Sequence, residues 1–125
     1  MTAHPLPVPP CVVLVVDDES TALTVMARAL LSAGYAVHTS PSPREALALA
    51  EELPRPVDLV VTDLRMDPMD GTALAELLSA RGLASRFLFV SGYGPAVEYN
   101  DDLGPFLLKP FSPEQLLSAV SRALV

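Results

Sequence analysis

An α/β domain built on a doubly wound, five-stranded parallel sheet is the fold class predicted for this chain. Three observations predict it: continuous apolar, β-branched runs, helical periodicities between those runs, and a length of 125 residues that suits one hydrophobic core.

The run from Cys11 to Val16 is apolar at every position, as in strands buried on both faces. Val57–Thr62, Phe87–Val90 and Phe106–Leu108 repeat that character, and Ala36–Thr39 reads as a weaker edge strand. Cys11 itself is expected to be a small buried hydrophobe rather than a reactive thiol.

Leu23, Met26, Ala27 and Leu30 recur at i, i+3, i+4 and i+7, with Gly34 placed to end that helix. Ser42-Pro43-Arg44-Glu45 is a capping box with proline at the first helical position, leading into Ala46, Leu49, Ala50 and Leu53. Leu74, Leu77 and Leu78 define a third helix with Gly82 beyond it, and Ser112-Pro113-Glu114-Gln115 caps a last one through Leu117, Val120 and Leu124. A short or irregular helix is expected over 94–102, where Gly94, Pro95 and Asn100 spoil the pattern.

Strands alternating with helices imply right-handed βαβ crossovers with helices on both faces of the sheet. Five β-α units fit the length and give a flavodoxin-like arrangement with strand order 2-1-3-4-5. Ligands are then expected beyond the carboxyl ends of the strands. Residues 1–10, with four prolines, read as an extended tail or linker, and 11–125 as the domain.

Composition excludes several functions. A net charge of −7 argues against a nucleic-acid surface, which needs clustered cations. No apolar stretch is long enough for a bilayer, and no export signal opens the chain. With one cysteine no intrachain disulfide can form, so a reducing cytoplasm is the expected setting.

The chemistry collects at the strand ends. Asp17, Asp18 and Glu19 follow the first strand, Asp63 the third, Ser91 ends the fourth, and Lys109-Pro110 follows the fifth. Alone, each has an ordinary explanation: a polar turn, a backbone-bonding hydroxyl, a surface charge. Together they bring carboxylates, a hydroxyl and an ammonium to one rim. Carboxylates converging there repel one another and call for a cation. An all-oxygen donor set suits Mg²⁺, with Mn²⁺ as an alternative. A carboxylate beside such an ion can act as nucleophile toward phosphorus, giving an aspartyl phosphate.

Val15-Val16-Asp17-Asp18-Glu19, Val60-Val61-Thr62-Asp63 with Met66, Met69, Asp70 and Gly71 downstream, Phe89-Val90-Ser91-Gly92 and Leu107-Leu108-Lys109-Pro110-Phe111 stand in order at sensible spacing. In these motifs the chain resembles the receiver domain of bacterial two-component response regulators, from Cys11 to Val125. The resemblance implies Asp63 as phosphoacceptor, and Asp17 and Asp18 with Asp63 and the Arg65 carbonyl at the metal. It implies Ser91 and Lys109 at the phosphoryl group, Ser91 and Phe106 as switch residues, and a cis Lys109–Pro110 bond. The resemblance also implies that Arg65 and Tyr93 occupy positions that tune phosphoryl lifetime. One departure stands out: the usual Met-Pro appears as Met66-Asp67-Pro68, with proline one place late and an extra carboxylate nearby.

The resulting expectation is a phosphorelay switch, not a turnover enzyme, taking its phosphoryl group from a histidine kinase or phosphotransfer protein. It would act on a downstream protein or an attached domain, through the 94–102 region, the last strand and the last helix. A haloacid-dehalogenase-type phosphohydrolase is the alternative of another class, but it would carry Asp where Arg65 stands. A phosphorylation-silent module would have lost Asp18, Asp63 or Lys109, and all are present. Met66 and Met69 read as loop packing, and His4 and His38 as non-functional.

Overall fold

A computed structural model describes residues 10–92 and 102–125. In chain order they form β1 (Val12–Val16), α1 (Ser20–Ser32), β2 (Ala36–Ser40), α2 (Pro43–Glu52) and β3 (Leu59–Asp63), then α3 (Gly71–Ala80), β4 (Phe87–Ser91), β5 (Phe106–Leu108) and α4 (Pro113–Ala123). The strands make one parallel sheet in the order β2-β1-β3-β4-β5.

Alternation along the strands divides the core in two. Val13, Val15, Leu59, Val61, Leu88 and Val90 pack with Met26 and Leu30 of α1 and Leu116 and Val120 of α4. The intervening Leu14, Val16, Val60, Phe87 and Phe89 pack with Ala46 and Ala50 of α2 and Leu74 and Leu78 of α3. Burying each of these Val, Leu, Met and Phe side chains contributes about 1.5–3 kcal/mol, whereas isolated helices shorter than about 12–15 residues are marginal in water. The two-faced strands therefore hold the helices in place, and so both runs and periodicities were needed to foresee the fold.

Local chemistry sets the helix ends. Ser42 Oγ accepts the Glu45 N–H at 3.2 Å, and Ser112 and Gln115 form a reciprocal box at 3.1 and 2.7 Å. Gly34 and Gly82, past α1 and α3, have φ of 96° and 70°.

The structure corrects some expectations. Cys11 is exposed, because β1 starts one residue later and the chain enters the sheet there. Val57 is buried but makes only an isolated bridge to Ala84, so β3 starts at Leu59 and runs through Asp63. The helix expected over 94–102 lies outside the described residues except at Asp102, and so do Tyr93, His4 and the first nine residues of the Pro-rich segment. Among the described residues, no helix is long and apolar enough to cross a membrane.

Candidate functional site

Three neighbouring parallel strands, β1, β3 and β4, end at one rim, and β5 adds the residue that follows it. Val16 pairs with Thr62, Asp63 with Val90, and Ser91 with Leu108, so Asp17, Asp63, Ser91 and Lys109 are delivered side by side. Asp17 is fully buried, Asp63 nearly so at 9% exposure, and Asp18 faces solvent. The carboxylates of Asp17, Asp18 and Asp63 offer oxygens all within 4.8 Å of one another.

The chain has a single lysine, and its ammonium sits in this cluster. Lys109 Nζ donates to Asp17 Oδ2 at 2.8 Å and to Asp63 Oδ2 at 3.3 Å. The remaining oxygens are oriented by backbone: the Glu19 N–H donates to Asp17 Oδ1 at 2.9 Å, and the Arg65 N–H to Asp63 Oδ1 at 3.1 Å. Each buried carboxylate is thus held at both oxygens. Asp18 has no hydrogen bond among the described residues.

The electrostatics are unequal across the pair. Burial is the main influence on Asp63 and raises its carboxyl above the ordinary 3.8; Asp17 pushes the same way, while the Arg65 N–H and Lys109 oppose it. Burial works against the Lys109 charge too, but the hydrogen bond to Asp17 and the charges of Asp17 and Asp63 outweigh it and raise the ammonium above 10.5. Both groups are raised, with opposite effects on charge: the two facing anions favour the Lys109 cation despite its burial, whereas ionised Asp63 faces one cation, one anion and its own desolvation.

Three carboxylates facing one ammonium leave two negative charges uncompensated, which matches a divalent cation in amount and in donor chemistry. Ser91 is 1% exposed at the end of β4, and its carbonyl accepts the Lys109 N–H at 2.8 Å. The Lys109–Pro110 peptide is cis, and so is Asp67–Pro68. Phe106 is half-buried, opposite Phe89 in the ladder, and packs on the α2–α3 side of the core. Met66 and Met69 pack into that same cluster, and Arg65 and Asp67 are exposed.

Two residues next to the site had no assigned role in the sequence reading. Asp70 caps α3 by accepting the Ala73 N–H at 2.8 Å, and the Gly71 N–H donates to the Leu64 carbonyl at 2.9 Å. Together they pin the start of α3 against the end of β3. An Asp-Gly pair ahead of the Leu74 periodicity was the signal for such a cap.

The family model described as response regulator receiver domain matches residues 13–121. The chain belongs to that family. This receiver domain is 43% identical over 116 residues to the sensor kinase CckA of Brucella abortus (strain 2308), a match covering 90% of the chain and 12% of that kinase. Solved structures share its fold, among them these two. Chemotaxis response regulator CheY4 of Vibrio cholerae superposes with a TM-score of 0.82 at 28% identity, covering 92% of this chain and 99% of that one. The receiver domain from hybrid histidine kinase CckA does so with a TM-score of 0.76 at 33% identity, covering 91% and 99%. Membership makes this a domain of two-component signalling, with an acidic cluster of the kind that accepts a phosphoryl group.

Proposed function

We propose that Asp63 is the phosphoacceptor of this receiver domain, and that phosphorylation there changes the domain's affinity for a protein partner. The observation that carries the reading is the double engagement of Lys109 with Asp17 and Asp63 beside a third carboxylate. An Asp63 oxygen attacks phosphorus; the new O–P bond forms as the P–N bond of a donor phosphohistidine breaks, and its electron pair stays on the imidazole nitrogen. A histidine kinase or phosphotransfer protein is the donor.

Asp17, Asp18 and Asp63, with the Arg65 carbonyl, would hold Mg²⁺ or Mn²⁺, which supplies charge neutralisation on the transferring oxygens. Lys109 provides a second positive charge, its ammonium partly desolvated and aimed by its two carboxylate partners. Ser91 donates its hydroxyl to a phosphoryl oxygen and, with Phe106, carries the conformational response. Arg65, exposed beside Asp63, and Tyr93 regulate access of water to the phosphoryl group.

This is self-phosphorylation rather than turnover of a substrate, in a domain working in the cytoplasm. The partner is a downstream protein or an attached domain, not nucleic acid or membrane. Arg65, standing where a haloacid-dehalogenase-type hydrolase needs its acid, speaks against that alternative. Incubation with Mg²⁺ and a small acyl phosphate, read by intact mass, tests the assignment. One added phosphoryl group is expected, absent in Asp63→Asn and in EDTA; undiminished addition in Asp63→Asn would overturn it.

A further inference from the structure

At the other pole of the sheet, where the strands begin, a cleft of about 600 Å³ opens between the start of β1, the α2–β3 connection and the residues leading into β4. Val12, Leu53 and Val57 contribute apolar lining, and the polar part is two cations, Arg55 and Arg86, one carboxylate, Asp58, with His38 and Ser85. Its size falls within the ~300–1,000 Å³ of small-molecule sites.

The charges make it unusual for this chain. The protein carries eight lysines and arginines against fifteen acids, yet two of the arginines, Arg55 and Arg86, line this one cleft. Neither has an ion-pair or hydrogen-bond partner for its side chain among the described residues. Arg28 and Arg44 are likewise without a side-chain partner among the described residues, while Arg81 is paired with Glu51 and Lys109 with Asp17 and Asp63. What sets Arg55 and Arg86 apart is that they share one cleft. Asp58 also lines the cleft and places a carboxylate in it; its Oδ2 accepts the Val12 N–H at 2.7 Å. It reduces the positive potential there but pairs with neither guanidinium. Two planar donor forks beside an imidazole, over an apolar wall, form a receptor for an oxyanion attached to a ring.

We infer that this cleft is a binding site for a small phosphorylated ring compound of the nucleoside-monophosphate class, with Arg55 and Arg86 on the phosphate and Leu53, Val57 and the adjoining prolines against the ring. His38 supplies a further donor or acceptor. The site is separate from the phosphoacceptor rim and does not depend on its chemistry.

The test uses the ¹⁵N-labelled chain in EDTA, so that the acidic rim holds no cation, titrated with adenosine 5′-monophosphate, adenosine or inorganic phosphate. Saturable amide shifts at Val12, His38, Arg55, Val57 and Arg86 are expected with the nucleotide. Binding should weaken about tenfold or more in Arg55→Gln and Arg86→Gln, as expected for loss of a charge-assisted hydrogen bond. Both arginines are exposed, and Asp63 phosphorylation by acyl phosphate serves as the folding control for each variant. Adenosine should bind more weakly for want of the anion, and phosphate more weakly for want of the ring. Four results would each overturn the inference: no shifts at millimolar nucleotide, shifts centred on Asp18 and Asp63, unchanged affinity in both variants, or equal binding of phosphate alone.

Discussion

Gly71 stands so close to Asp63 that a Cβ built on it would lie 2.2 Å from the Asp63 carbonyl oxygen. That oxygen is backbone, at the end of a buried strand, and cannot yield as a flexible side chain would. It also accepts the Thr62 hydroxyl at 3.0 Å. Gly71→Ala must therefore move the start of α3 or the end of β3. A loss of about 1–3 kcal/mol is expected, the usual cost of overpacking a close-fitted site, read as a lower urea midpoint. Because the displaced strand end carries Asp63, acyl-phosphate labelling should slow as well. An unchanged midpoint together with an unchanged labelling rate would show that the contact constrains neither.

Asp18 offers a prediction whose sign reverses with metal. It is exposed, has no hydrogen bond among the described residues, and lies among carboxylates that repel it. In EDTA, Asp18→Asn removes repulsion without breaking a contact, so thermal stability should hold or rise slightly. With Mg²⁺ the order should invert. A ligand at a hundred times its dissociation constant stabilises by ~2.7 kcal/mol, and the variant, with one anionic donor fewer, should gain less at the same concentration. Equal Mg²⁺-dependent shifts in melting temperature for both proteins would exclude Asp18 from the metal site.

How much of this arrangement could be read in the sequence follows from what each element depends on. β1, β3 and β4 were legible because burial on both faces makes their residues apolar up to the strand end, which leaves a short run broken only by Thr62, Asp63 and Ser91 near the rim. The rim followed from the strands, since Asp17, Asp63, Ser91 and Lys109 each sit at or just past a strand end. Strand starts were harder: Cys11 continues the apolar run but precedes the first ladder residue, and nothing in the run distinguishes an exposed entry from a buried strand. Val57 was misjudged as strand because its burial is real while its pairing is a single bridge. The packing of Gly71 on Asp63 depends on where two elements approach in space. No local pattern reports that.

The direction of the Asp63 shift makes a pH prediction. Its carboxyl is raised in the folded state, chiefly by burial, so ionised Asp63 opposes folding wherever the pH exceeds that raised value. As pH falls through it toward 3.8, the folded state takes up the proton first and the penalty disappears. Asp63→Asn mimics the protonated form in shape and charge. In EDTA at neutral pH the variant should be the more stable, with its advantage shrinking on acidification and gone below the unfolded-state value. Chemical denaturation of both proteins across that range checks this; an advantage that grew at low pH would reverse the assigned cause.

Phosphorylation should be felt most where Ser91 and Lys109 are joined. The Lys109 N–H donates to the Ser91 carbonyl at 2.8 Å, so any pull on the Ser91 hydroxyl or the Lys109 ammonium acts on one shared segment of backbone. β5 is the element best able to respond: it has three residues, pairs only with β4, and is nowhere fully buried. Such edge segments open at low free energy. Amide exchange should therefore change on phosphorylation over 87–91, 106–109 and α4, and stay nearly constant in α2. One hydrogen bond to a charged group contributes about 1.5–3 kcal/mol, short of the ~5.5 kcal/mol that near-complete switching takes. Ser91→Ala should accordingly be phosphorylated still and show a weakened exchange response rather than none. A response confined to α2 and β2 in the unmodified sequence would place the moving element on the opposite edge of the sheet.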